Sequence, residues 1–119
     1  MVLRHNCIRN ILIYIEENIN SSFDYVNYDT LSDATGYEVD VIKYHADQLS
    51  DGGFIKNDSN SITSLTFKGH EYISAIRDEN FWNKLFEALP KDSYISLDAI
   101  YIAANKIAVN NLLNKINSK

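Results

Sequence analysis

Three observations in this 119-residue chain predict a mainly α protein with a small antiparallel β hairpin. Between Leu49 and Leu89 a helical pattern stops at Gly52-Gly53, two short β-prone runs follow, and a long amphipathic helix begins. Upstream, two helical segments meet across Gly36 in the helix, tight turn, helix arrangement. Downstream, an apolar pattern adds a last helix. The sum is α+β: a winged helix-turn-helix with a C-terminal helical extension. Residues 1–90 are assigned to the winged-helix domain. Residues 91–119 are a helix packing on it or forming a dimer interface.

Composition agrees. Hydrophobic residues at 45% and charged residues at 23% are ordinary globular usage, so a packed core is expected. Eight Tyr, five Phe and one Trp supply part of that core. No segment approaches the roughly 20 apolar residues a membrane span needs. The opening MVLRHNCIRN has no apolar core or cleavage site of a secretion signal, and Cys7 stands alone, which fits a reducing compartment. The cytoplasm is the expected location.

The elements follow in order. Ile8, Ile11, Leu12, Ile15 and Ile19 recur at three-and-four spacing and predict a helix from Leu3 to Asn18 with one buried stripe. Phe23, Tyr25, Val26 and Tyr28 form an aromatic and β-branched run expected as a short strand. Asp29 or Thr30 is positioned to cap a helix from Leu31 to Ala34, closed by Gly36. The next helix runs from after Tyr37 to Ser50, with Val39, Ile42, Ala46 and Leu49 inward and His45 or Val41 on the flank. Phe54 to Lys56 and Ile62 to Phe67 read as the hairpin, or wing. Its loop residues Asn57, Asp58 and Asn60 are ones that tolerate positive φ. From Lys68 a helix continues to Leu89, with Asp78 to Asn80 bending it or exposing one polar turn, and Pro90 ends it. The last helix starts near Ser93 or Ser96 and reaches Ile116.

The stretches LRHNCIRNILIYIEENI, LSDGGFI and LTFKGHEYISAIRDENFWNK resemble a small bacterial family of proteins of unknown function, found in Firmicutes and their prophages. Its motif, Leu-Thr-x-x-Gly-His-Glu followed by an aliphatic or aromatic pair and Ile-Arg-Asp, lies at Leu65 to Asp78. The resemblance covers nearly the whole chain and implies a winged-helix fold. It carries no enzymatic activity across, and therefore no catalytic residue.

Residue chemistry points the same way. Gly69-His70-Glu71 could suggest a catalytic pair, but neighbours on a helix point about 100° apart. His70 is expected to pack against or hydrogen-bond the wing, Gly69 to permit a tight turn, and Glu71 to complement the helix dipole. One Cys and three His do not make a structural zinc site, so no metal and no cofactor is expected. Arg77-Asp78-Glu79 reads as an ion pair at the surface or between elements. Of Phe81 and Trp82, one is expected in the core and the other at an interface.

Charge decides between partners. Residues 1–67 carry four Lys/Arg against ten Asp/Glu, and residues 68–119 seven against six. Affinity for DNA comes largely from neutralising phosphates, which needs a basic footprint. The third helix instead presents Asp40, Lys43, Tyr44, Asp47, Gln48 and Asp51, and these are assigned as an acidic partner-binding face. Lys56, Asn57 and Asn60 are the wing contacts. The last helix is apolar on more than one side, so it either packs entirely into the core or meets a second copy, for which Ile102, Val109 and Leu113 are the candidates.

The function expected is a non-enzymatic binding module with a protein partner favoured. A phage inhibitor of a host nucleic-acid-handling or defence factor fits the family setting. The alternative is a dimeric DNA-binding transcriptional regulator, in which Lys43, Gln48 and Lys56 touch nucleic acid.

Overall fold

The structure, a computed structural model, describes residues 1–89 and 95–118. Helix α1 (His5–Asn18) buries the predicted stripe of Ile8, Ile11, Leu12 and Ile15, together with Cys7. Strand β1 (Val26–Asn27) leads directly into α2 (Tyr28–Thr35), and α3 (Val39–Asp51) follows. The hairpin is β2 (Ile55–Asn57) and β3 (Ser61–Leu65), and β1 joins it to give an antiparallel sheet in the order β1-β3-β2. Helices α4 (Phe67–Ile76), α5 (Glu79–Glu87) and α6 (Leu97–Asn117) complete the described chain. The protein is therefore mainly α with a small antiparallel sheet.

One core joins these elements. α1 lies against α2, α3, α4 and β3. Leu31, Ile42, Leu49, Phe54, Ile62, Tyr72, Ile73 and Ile76 close around it, all fully buried except for traces. Each such side chain contributes about 1.5–3 kcal/mol by leaving water.

Two glycines end helices in the left-handed region, where a side chain is disfavoured: Gly36 at φ +83° and Gly53 at +84°. Gly69 has a different use. It lies in the first turn of α4, and a Cβ there would sit 2.1 Å from the Phe54 carbonyl oxygen. The residue is required for close approach of α4 to the hairpin and does not make the expected turn.

Several expectations are corrected. The single helix from Lys68 to Leu89 is two helices. The Arg9 guanidinium donates to the carbonyls of Ile76 (2.9 Å) and Arg77 (2.7 Å) and so terminates α4. Asp78 then caps α5 by accepting from the Phe81 N–H at 3.3 Å. Phe67 is the exposed first residue of α4 and is not in the strand. The strand expected over Phe23 to Tyr28 shrinks to Val26–Asn27, with Phe23 and Tyr25 exposed. α2 starts at Tyr28 with no side-chain cap, so Asp29 and Thr30 fall inside its first turn. Val39, expected inward, is exposed, and the inward place belongs to His45, which is fully buried.

Three other sequence signals hold. Arg77 pairs with Glu16 and Glu17 of α1. Trp82 is buried, donating from its indole N–H to Asn6 Oδ1 at 2.8 Å, and Phe81 is half-buried. Ser96 caps α6, accepting from the Ala99 N–H at 3.1 Å. Ser93, Pro90 and the boundary assigned at 90/91 lie outside the described residues.

Candidate partner-binding face

Asp40, Lys43, Asp47 and Asp51 are exposed and follow one another at three- and four-residue spacing, which aligns them on one side of α3. Tyr44 and Gln48 are half-buried beside them, and the Tyr44 ring stands edge-on to His45. The face assigned from sequence thus exists as a surface. Its charge is concentrated: residues 28–65 carry seven carboxylates against Lys43 and Lys56, a balance of −5 that equals that of the whole chain.

Asp51 is the most informative member. It closes the last turn of α3, where the unpaired carbonyls make the helix end negative, and no basic residue occupies that turn. A carboxylate there works against local stability.

The hairpin is fastened to this face by side chains whose role was not anticipated. Asn57 Nδ2 donates to the Tyr28 hydroxyl oxygen at 2.8 Å and to Asp47 Oδ1 at 3.1 Å. The Tyr28 hydroxyl in turn donates to the Asp58 carbonyl at 2.9 Å. Asn57 is therefore half-buried in a strut between α2, α3 and the hairpin, and Asn60 and Lys56 remain exposed. None of the loop residues has positive φ, contrary to expectation. Asp58 makes the turn instead: its Oδ1 accepts from the Asn60 N–H (2.9 Å), the Ser61 N–H (2.8 Å) and the Ser61 hydroxyl (3.0 Å). These bonds, the Asn60 N–H foremost, hold the Asp58 carboxyl below its ordinary range. The run Asp58-Ser59-Asn60-Ser61 carried that signal as an Asx turn.

Beside the turn, Phe23 and Tyr25 are 91% and 62% exposed. They line a groove of about 510 Å³ with Asp58, Asn60, Ser61 and Thr63. These two large aromatics in water, beside the hairpin turn, are a second surface feature that periodicity missed.

The other chemistry-bearing residues lie on α1 and α4, apart from this face. His70 is exposed and makes no side-chain hydrogen bond among the described residues. Glu71 accepts from the Tyr101 hydroxyl at 3.0 Å. Cys7 is buried, which pushes its thiol up to about 11 and leaves it a poor nucleophile. Among the described residues no three His, Cys, Asp or Glu side chains are placed to hold a metal ion, and no helix is long and apolar enough to cross a membrane.

Comparison with known proteins adds lineage. An uncharacterized protein of Haemophilus influenzae is 33% identical over 82 residues, covering 61% of this chain and 70% of the relative. No solved structure is significantly similar to the chain. Residues 3–95 match a family described as hypothetical protein, leaving α6 beyond the matched span, and the chain belongs to that family, DUF2513.

Proposed function

We propose that the chain is a non-enzymatic winged-helix module that binds a protein partner through α3 and the adjoining hairpin, acting in the cytoplasm. The helix-strand-helix-helix-hairpin order, with β1 completing the sheet, supports the winged-helix reading. The observation that carries the choice of partner is the anionic α3 face. Asp40, Asp47 and Asp51 point where a DNA reader needs cations, and Lys43 and Lys56 do not offset them. Exposed Phe23 and Tyr25 suit a protein interface, which is enriched in aromatics. Asp51, set against the helix dipole, suits binding better than folding. In the prophage setting implied by the resemblance, a surface that mimics DNA charge would occupy a host nucleic-acid-handling or defence factor.

A salt-titrated binding assay on random duplex DNA, run beside affinity capture from host lysate, tests this. The expected result is no duplex binding at low salt, and a protein retained by the native chain but lost by D40K/D51K. Duplex binding that weakens steeply with salt, and that K43A/K56A abolishes, would instead establish the dimeric regulator.

A further inference from the structure

Helix α6 has two halves with different surroundings. Leu97, Ile100 and Ala104 are buried in the body, and the contacts Lys68–Asp98 (3.0 Å) and Glu71–Tyr101 (3.0 Å) hold this half along α4. From Val109 to Ser118 every residue is exposed, so about 15 Å of helix runs clear of the domain. That free half is apolar where it should be polar. Val109, Leu112, Leu113 and Ile116 are 53%, 57%, 49% and 58% exposed, and Ile102, on the outer side of the packed half, is 61% exposed.

The free half is weakly supported. It holds Asn110, Asn111, Asn114 and Asn117, which are weak helix formers, and no carboxylate to pair with Lys115. It extends a helix already nucleated in the packed half, but no tertiary packing stabilises its last turns. We propose that α6 docks on α6 of a second copy of this chain, and that its last turns become stably helical through that docking.

Three features select a second copy over another occupant. Ile102, Val109 and Ile116 recur every seven residues, with Leu112 between the last two and the half-buried Asn105 in the equivalent place between the first two, a β-branched series with one leucine that suits a short two-stranded parallel seam in which each side chain meets its own counterpart. That register sets Tyr101 of one copy beside Lys106 of the other, and Ala108 beside Leu113, so no like charges meet. The exposed aliphatic surface is on the order of 500 Å² per copy, in the upper part of the range for the largest patch on a monomer, and roughly 1,000 Å² for the pair, the lower edge of a specific interface. This inference is independent of the reading of α3.

Sedimentation of the full chain from submicromolar to submillimolar concentration tests it, with far-ultraviolet circular dichroism on the same samples. The expected result is a mass rising to twice 13.6 kDa with helicity rising in step. V109D/L113D should stay monomeric, lose that helicity gain and keep the near-ultraviolet signal of buried Trp82. Val109→Cys should oxidise to a covalent dimer in air, which the buried Cys7 does not. A chain monomeric throughout with constant helicity overturns the proposal, as does a dimer that survives V109D/L113D. A monomer that binds neutral phospholipid vesicles through this stripe overturns it too, and assigns the face to lipid.

Discussion

The backbone N–H of Arg4 donates to Nε2 of buried His45 at 2.9 Å, while His45 Nδ1 lies 2.7 Å from the Val41 carbonyl. Arg4 fixes the tautomer: Nε2 must be bare, so Nδ1 carries the proton and the ring is neutral. Burial above all, then the charges of Arg4 and His5, holds His45 below its ordinary 6.5, against the Val41 bond that raises it. His5 is lowered as well, chiefly by burial. Unfolded histidines take up protons near pH 6.5 and these folded ones only lower, so their contribution is complete above that pH and lost as pH falls through it. Urea midpoints should drop between pH 7.5 and 5.5, and drop less in H45Q. An unchanged midpoint would show that His45 titrates freely.

Gly69→Ala sets helix propensity against space. In an open helix it would stabilise by about 0.5–1 kcal/mol. Here the added methyl meets the Phe54 carbonyl at 2.1 Å and Leu65 Cδ1 at 2.6 Å. Backbone cannot yield as a side chain can, so a net loss of about 2 kcal/mol or more is expected in chemical denaturation.

Val39 and Leu49 share a helix and an aliphatic character but differ in burial, 38% against 0% exposed. Leu49→Ala should cost about 2–5 kcal/mol and Val39→Ala under about 1. Equal losses would mean that α3 is rotated from its described orientation.

Lys68 is embedded rather than solvated. Its Nζ donates to the Gly52 carbonyl at 2.9 Å and lies 4.5 Å from the Phe54 ring centre and 5.0 Å from that of Tyr101. The partly exposed pair with Asp98 adds little. K68M should cost about 1–2 kcal/mol, most of it surviving high salt, because the carbonyl and ring contacts are not screened. Full recovery in D98N backgrounds would contradict this.

Asp58→Ala should release the hairpin tip while the core persists. Amide exchange at Asn60 and Ser61 should accelerate, with protection at Ile62 and Ile73 retained. Because the folded carboxyl titrates below its ordinary value, the native tip should loosen as acid protonates Asp58, and the variant should show no such step.

Local patterns were readable wherever one element sets them. The stripe of α1 and the stops at Gly36 and Gly53 each lie within a few residues of sequence, whereas the start of α6 stood open between Ser93 and Ser96. What escaped depends on distant partners. The break after Ile76 requires Arg9, from α1, to occupy the last carbonyls of α4. His45 took the inward place expected of Val39 because Arg4 supplies a partner for its ring. Phe23 and Tyr25 looked like a strand by composition, yet only Val26 and Asn27 find a neighbour in β3. On the candidate face the acidic α3 residues were legible from spacing. The strut through Asn57 and Tyr28 was not, since it joins residues 29 positions apart.

The stripe on α1 also governs how synthesis must proceed. Ile8, Ile11, Leu12 and Ile15 leave the ribosome before the α3, α4 and β3 residues that cover them, and His5 waits for the carbonyl of Ile95, 90 residues later. During that interval the nascent chain carries a greasy helix in water, a natural target for chaperones and a seed for aggregation. Pausing translation before Tyr72 emerges should therefore yield a chaperone-bound chain, and the core should close only when α4 arrives.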